Sequence, residues 1–395
     1  GIIMAVITGT VIIGGIKRIG SVTGRLVPFM CALYLLAAIV VLAMNMSAIP
    51  SMFALIFKSA LPPALGGVNA EPTGAFLGGT FGYAFLWGMK RALFSNEAGQ
   101  GSSPIAHSAA KTDEPAREGI VAGLEPFIDT IVVCTITALV VLSSGAWNRE
   151  AAAQYDATPA IVAAEPAADG SARWVPDVTS VPAKSPEAAR NSNKWRERDD
   201  VMILVKGDND PNTGRDIHHI KGKLAAGEGD ALTVVWEPFA SKTKPEATGP
   251  GLFMDLKGPS LTGHAFDRAV PGMGMWIVML ACWLFAISTI IAWSYYGEQA
   301  IVFLIGPKAV MPYKVIYCLA IVVATLPFIK TDKQLDSLTA LGTGVMLFAN
   351  FPIMLIFGRQ AMKAYHDYNR RLKSGELLSH AAPPITDVVE GKDVK

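Results

Sequence analysis

Apolar residues along the chain fall into seven blocks: 1–16, 26–49, 74–94, 119–142, 272–296, 314–329 and 335–357. A run of about 20 apolar residues matches the hydrocarbon thickness of a bilayer, so each block predicts a spanning helix. The third block has a polar continuation to about residue 110. Between 143 and 271 the pattern changes to Ala, Pro, Asp, Glu and Lys with no spanning run. Within that insert, Val201 to Val205 (VMILV), Leu232 to Trp236 (LTVVW) and Leu252 to Leu256 (LFMDL) are β-prone runs separated by turn residues. They predict a small antiparallel β module. The Ala/Pro/Glu-rich stretch from about 150 to 195, and the polar tail from about 374, predict poor order. Residues 50–66 are too short and proline-rich to span and read as an interfacial or re-entrant piece. The expected fold class is an all-α polytopic membrane protein with seven spanning segments and a β-rich insert. Its parts are membrane domain 1–142, insert 143–271, membrane domain 272–358 and tail 359–395.

Composition narrows the function. Of 395 residues, 51% are hydrophobic and 17% charged, against roughly 25% charged in an average soluble domain. Mean hydropathy is +0.37. An ordinary soluble enzyme is excluded. The net charge of +1 gives no polyanion-binding surface, so nucleic acid is not an expected partner. Cys31, Cys134, Cys282 and Cys318 lie in apolar runs without C-x-x-C spacing, which excludes a disulfide framework and a cysteine zinc site. No transition-metal site and no organic cofactor are expected. The first block lacks the basic flank and cleavage site of a signal peptide. It reads as a helix cut short, so the chain is expected to be the C-terminal part of a longer protein. Basic residues set the orientation. Four groups alternate without conflict if all are cytoplasmic: Lys17, Arg18 and Arg25; Lys90, Arg91, Lys111 and Arg117; Lys308 and Lys314; and the run from Arg359 to Lys373. Lys58, Lys330 and Lys333 form thinner competing groups. The insert is then extracytoplasmic and the C-terminus cytoplasmic.

Three stretches carry candidate chemistry. In residues 88–112 a lipid-facing helix has no use for Asn96, Glu97, Gly99, Gly101, Ser102 and Ser103 in succession. Irregular backbone at membrane depth survives only inside protein or beside water, and glycines permit unwinding. An unwound segment offers carbonyls to a cation and a half-helix N-terminus to a carboxylate. A cytoplasmic loop explains the same residues equally well. In the fifth block Ser288 and Thr289 are adjacent hydroxyls, and Thr289 and Trp293 share a helix face. The hydroxyls suit a monovalent cation and the indole suits a substrate wall. Hydroxyls bonded back to their own helix are the commoner outcome. In the fourth block Glu125 and Asp129 are acids inside a span, where a charge is costly and a functional candidate by default. Asp129, near mid-depth, with Thr130 beside it, leans to function, and Glu125 to structure. Ser102 or Ser103 with His107 is a poor hydrolase candidate, because the spacing is local. His218 and His219 read as a solvated turn.

These stretches resemble the alanine or glycine:cation symporter (sodium:alanine symporter) family. The likeness is carried by KRALFSNEAGQGSSPIAHSAAKT at 90–112, EPFIDTIVVCTITALVVL at 125–142 and LFAISTIIAWSYYGE at 284–298. GGIKRI at 14–19 and VPFM at 27–30 add to it. The resemblance covers nearly all the membrane part and none of the insert. It implies a leucine-transporter-like fold of inverted repeats in the plasma (inner) membrane. It further implies symport of a small neutral amino acid, alanine or glycine, with sodium or sometimes protons as coupling ion, and no enzymatic activity. A channel or an intramembrane hydrolase is a weaker alternative. By position, Phe94, Asn96, Gly99, Gly101, Thr289 and Trp293 are expected at the substrate. Ser288, Thr289, Asp129 and Thr130 are expected at the cation. The resemblance puts about four helices before residue 1, including the first broken helix, which supplies much of the site. The insert is much longer than the loop expected there.

Overall fold

In a computed structural model, residues 1–60, 79–97, 99–110, 112–166, 170–185, 195–209, 216–227, 231–326, 328–329 and 332–377 are described. The helices are α1 (Ile2–Ile12), α2 (Gly15–Met44), α3 (Ile49–Ala60), α4 (Gly79–Asn96), α5 (Ser103–His107), α6 (Pro115–Pro126), α7 (Cys134–Ser143), α8 (Pro259–Ala269), α9 (Gly274–Leu304), α10 (Val310–Ala324) and α11 (Asp332–Ser374). A π-helical segment, Phe127–Val133, joins α6 to α7 without interruption. Two compact units emerge: residues 1–36, 88–136 and 280–395, and residues 37–87 and 137–279.

Five helical stretches are long and apolar enough to cross a membrane: Gly15–Met44, Pro115–Ser143, Gly274–Leu304, Pro307–Ala324 and Gln334–Ser374. The chain is therefore a multi-pass membrane protein by composition, but the described residues carry five such helices rather than the seven expected. The first block yields only the eleven residues of α1. At about 1.5 Å per residue, such a helix falls well short of a hydrocarbon core of about 30 Å. Most of the third block forms α4, which is not among the helices long and apolar enough to cross, and residues 74–78 lie outside the described residues. Many large apolar side chains face outward on these helices, Phe303 at 89% and Phe348 at 85% exposure among them. In a soluble protein such patches would drive association. Here they suit lipid or further helices.

Two basic groups sit differently from expectation. α2 begins at Gly15, so Lys17, Arg18 and Arg25 belong to its first turns and not to a loop. Gly15 has φ +72°, a backbone turn that a glycine makes cheaply, and the α1–α2 connection shrinks to two residues. Lys314 lies inside α10, is 5% exposed, and pairs with Glu298 of α9 at 3.1 Å. The partner carboxylate offsets the desolvation that would otherwise keep a lysine out of such a position. Tyr317 Oη donates to the Ile290 carbonyl at 2.8 Å and Tyr313 Oη to the Ser294 carbonyl at 3.1 Å, tying α10 to α9. Val11, Ile12, Ile19, Ile291 and Tyr295 form the apolar centre of this unit. The expected tail from 359 remains helical to Ser374. There Arg371 makes a two-pronged ion pair with Glu114, at 2.6 and 2.8 Å.

The other unit holds the β module. Strands are β1 (Ala153–Gln154), β2 (Ile161–Ala164), β3 (Arg173–Pro176), β4 (Asp200–Lys206), β5 (Ile217–Ala226), β6 (Leu232–Trp236), β7 (Phe239–Ala240), β8 (Glu246–Ala247) and β9 (Gly251–Met254). One antiparallel sheet runs β1-β9-β4-β5-β6 with β8 also on β4, and a second runs β2-β3-β7. The three predicted runs are β4, β6 and β9. Alternate residues Val201, Ile203 and Val205 turn one face and pack with Ile220, Leu224 and Val234. β5, the longest strand, contains His218 and His219, which were expected in a turn. It is held in place by pairing along both edges, with β4 and β6. Nor is the 150–195 stretch wholly without order, since β1 to β3 lie in it. Trp236 Nε1 donates to the Val178 carbonyl at 2.6 Å, Trp195 Nε1 to the Pro182 carbonyl at 2.8 Å, and Val234 N to the Thr179 carbonyl at 2.8 Å. These long-range bonds order a segment whose own composition would not.

Two outcomes test this architecture. A Cβ on Gly222 would lie 2.7 Å from both Trp236 and Val234, so Gly222→Ala destabilises the module by about 1–3 kcal/mol, as overpacking does. Limited proteolysis of the protein should then cut the insert faster while the helices stay intact. The hydrogen bond from Arg371 holds the Glu114 carboxyl below its ordinary range. A lowered acid stabilises the fold above its ordinary pKa, and the effect fades as pH falls through the lowered value. Hydrogen-exchange protection at the end of α11 should therefore drop below about pH 4, where free glutamates protonate, and Glu114→Gln should remove that dependence.

Candidate functional site

The site grows from the point where α4 stops. After Asn96 the backbone leaves helical geometry: Glu97 has φ +50°, Gly99 +78° and Gly101 +84°. α5 resumes at Ser103. The helix is interrupted between Asn96 and Ser103, as both a broken helix and a loop would have it. The exposed peptide groups of the break are answered from two directions. Gln100, 5% exposed, donates from Nε2 to the Leu93 carbonyl at 2.6 Å, one of the carbonyls a helix end leaves over. Asn350 of α11 donates from Nδ2 to the Gly99 carbonyl at 2.9 Å. A Cβ on Gly101 would sit 3.0 Å from Asn350 Cγ, and one on Gly99 would sit 3.1 Å from Leu347. Both glycines are needed for conformation and for closeness to α11.

The last residues of α4 meet the π-helical segment. Pro126 precedes that segment and has no N–H to give the helix ladder. In the wider turn that follows, Asp129 and Thr130 both engage α4. The Ser95 hydroxyl donates to the Asp129 carboxylate. Asn96 and Thr130 bond reciprocally, Nδ2 to Oγ1 at 2.9 Å and Oγ1 to Oδ1 at 3.1 Å. Consecutive residues of a regular α-helix point about 100° apart, so two adjacent residues meeting two adjacent residues fits a distorted turn. Such π segments are often found at functional positions. The result is a cluster of oxygens, from Ser95, Asn96, Asp129 and Thr130, directly beside unwound backbone. Glu97 accepts from Ser102 Oγ at 2.6 Å and lies beside the Tyr296 hydroxyl. Glu125 stands within electrostatic reach of Glu97, His107 and Asp129.

Of the expected site residues, the structure brings together Asn96, Gly99, Gly101, Asp129 and Thr130. Phe94 borders the break at 50% exposure. Trp293 packs its ring against Tyr296 at 5.9 Å and so approaches Glu97 through that tyrosine. Ser288 is buried, and its hydroxyl donates back to the Phe285 carbonyl at 3.0 Å, the local bond that serines in helices commonly make. Thr289 is exposed. Among the described residues, no hydrogen bond or ring contact joins either hydroxyl to the broken segment. Ser102 and His107 are not a couple: His107 Nδ1 lies 2.7 Å from Glu118, while Ser102 is held by Glu97. Asn350, Gln100 and Tyr296 were missed as site residues. Asn350 alone had a readable signal, an amide in the apolar run LFANFP.

A sequence profile described as the sodium:alanine symporter family matches residues 1–170 and 247–382. The chain belongs to that family. Residues 171–246, most of the β module, fall between the two matched parts. The sodium/alanine symporter AgcS of Methanococcus maripaludis is 33% identical over 319 residues, covering 81% of this chain and 46% of that protein. A sodium/proton-dependent alanine carrier protein of Bacillus sp. (strain PS3) is 26% identical over 381 residues, 95% of this chain and 62% of the relative. The Bacillus subtilis transporter YflA is 43% identical over 148 residues, 38% of this chain and 30% of the relative. The chain spans about half the length of AgcS, the relative that matches it over 319 residues.

The geometry at the break is open to test. Gly101→Ala forces a left-handed backbone on an L-residue, which costs about 1–2 kcal/mol, and crowds Asn350. It should lower the thermal midpoint in detergent. Gly119→Ala, where the added Cβ meets nothing within 4 Å, should leave the midpoint unchanged or raise it.

Proposed function

We propose that the protein is a secondary transporter that carries a small neutral amino acid, alanine or glycine, together with a cation by alternating access. The observation that carries this reading is the non-helical backbone of Glu97 and of Gly99 to Ser102, pinned by Asn350, with the Asp129 and Thr130 oxygens at the end of α4. Membership of a symporter family and the relatives' names support it. Substrate carboxylate meets backbone N–H groups around Gly99 to Gly101. α5 has five residues, too few for the dipole of a long helix, so the loop's own N–H groups do this work. Phe94, Asn96 and Trp293 bound the space for a small side chain.

Sodium is the coupling ion in this proposal, taken as a transported species. Hard cations prefer oxygen, and Asp129, Thr130 and Asn96 supply it next to the break. Ser288 and Thr289 are proposed as a second oxygen set, reached when α9 turns toward the substrate. Each ligand lowers the desolvation penalty of the other, which makes their binding interdependent. Protons are the second reading. Asp129, a carboxylate inside a span and bonded to a serine hydroxyl, is a group that can take one up. The basic residues at the end of α11 support a cytoplasmic C-terminus, and with it an extracytoplasmic insert in a plasma-membrane protein. Separation of Ser102 from His107 supports transport over hydrolysis.

Counterflow in proteoliposomes, with one cation varied at a time, tests the reading. Alanine exchange should require sodium, and Asp129→Asn should weaken that dependence by about tenfold or more, the effect of losing one contact to a charged group. Thr289→Ala should reduce uptake. Exchange indifferent to both sodium and pH would overturn coupling.

A further inference from the structure

α11 runs as one helix from Asp332 to Ser374, well past its apolar stretch. Two observations fix which side of it looks inward. Asn350 reaches the Gly99 carbonyl, while Leu347 and Met354 stand 3.1 and 3.9 Å from where a Cβ on Gly99 would be. Tyr368, about five turns on from Asn350 and so in line with it, is buried. At about 100° per residue, the opposite side is occupied by a lane about 80° wide. Its first half is apolar: Leu341, Val345, Phe348 and Leu355 are 62% to 85% exposed. Its second half is basic: Arg359, Lys363, Arg370 and Lys373, with His366 among them, are all exposed. Nothing acidic interrupts it. Asp367, the one acid in residues 359–374, lies to the side and pairs with Arg371 at 2.9 Å and Arg370 at 2.5 Å. Arg371 points elsewhere, to Glu114. Among the described residues no ion pair engages Arg359, Lys363 or Lys373. A count of basic residues orients a span wherever they stand around the helix, so their confinement to one line is a separate fact.

We propose that this lane of α11 seats an anionic phospholipid, its headgroup phosphate held by Arg359 and Lys363 and its acyl chain laid along Leu355 and Phe348. An outward apolar line that turns basic on the same face matches an occupant apolar at one end and anionic at the other. Basic side chains next to a span attract anionic headgroups, and here they have no acid on their own face to satisfy them. The dimensions agree. One leaflet is half of a hydrocarbon core of about 30 Å, or about ten residues of helix at about 1.5 Å each. Phe348 stands eleven residues before Arg359. Leu341 and Val345 carry the lane on toward the other leaflet. Lys373 lies about 21 Å beyond Arg359, more than the Debye length of about 8 Å at physiological salt, so it adds little to the headgroup contact. The lane is opposite Asn350 and uses no residue of the helix break, so the proposal stands or falls independently of the transport reading.

Native mass spectrometry of the protein, released from nanodiscs of phosphatidylglycerol and phosphatidylcholine in equal amounts, reports which lipid stays bound. Phosphatidylglycerol should be retained preferentially. The Arg359→Gln/Lys363→Gln double variant should lower that preference about tenfold or more, as loss of charge-assisted contacts predicts. Lys373→Gln, beyond the screening distance, should change it less than about twofold. All three side chains are exposed, so thermal midpoints should stay unchanged and a shifted preference reads contact rather than folding. Equal retention of the two lipids overturns the proposal. So does a preference that the double variant leaves intact, or one that Lys373→Gln removes as fully. The same spectra report assembly: a dimer that Phe348→Ala dissociates places a second copy on the lane instead of lipid, and overturns the proposal too.

Discussion

A buried peptide group without a hydrogen-bond partner is unfavourable by roughly several kcal/mol, and the side chains around the end of α4 are arranged to meet that demand. A helix normally hides its carbonyls within itself. Where α4 stops, it cannot, and the chain recruits side chains to take over: Gln100 for Leu93, Asn350 for Gly99. The second of these comes from 251 positions away in sequence. The break is therefore a joint property of α4 and α11. Glycine at 101 permits both the positive φ and the approach of Asn350, so conformation and contact are fixed by one residue.

The same demand explains features away from the break. The π-helical turn after Pro126 presents Asp129 and Thr130 to Ser95 and Asn96, and every polar group in that set has a partner within it. Between α9 and α10, tyrosine hydroxyls reach main-chain carbonyls while Lys314 neutralises Glu298. In the β module, the indole N–H groups of Trp174, Trp195 and Trp236 each find a main-chain carbonyl. The aromatic rings can then contribute apolar area without stranding a donor.

Much of the membrane part was legible because hydrophobic runs and glycine-rich polar runs are local signals. The NEAGQGS stretch showed that an apolar helix could not simply continue, with a break or a loop to follow, and Asp129 with Thr130 stood out in an apolar block. Local signals could not show that Pro126 would open a π-helical turn, or that Asn350 would bridge to Gly99, since both depend on a partner far along the chain. Charge counting misplaced Lys314 because a buried ion pair looks, in one dimension, like a loop lysine. The β module divided the same way. β4, β6 and β9 carry β-branched and aromatic residues and were readable. β5 reads IHHIKGKLAA and is a strand chiefly because strands on both sides hydrogen-bond to it. Gly222, which weakens its intrinsic preference, is there because Trp236 covers it.

The first and last strands of the insert, β1 and β9, are neighbours, with Ala153 opposite Leu252. A domain whose two chain ends sit side by side, about 4.8 Å apart across a strand pair, behaves as a cassette. It can be trimmed, enlarged or swapped for a short linker without respacing the helices it interrupts. That geometry makes the region a natural place to attach a fluorophore or an affinity handle.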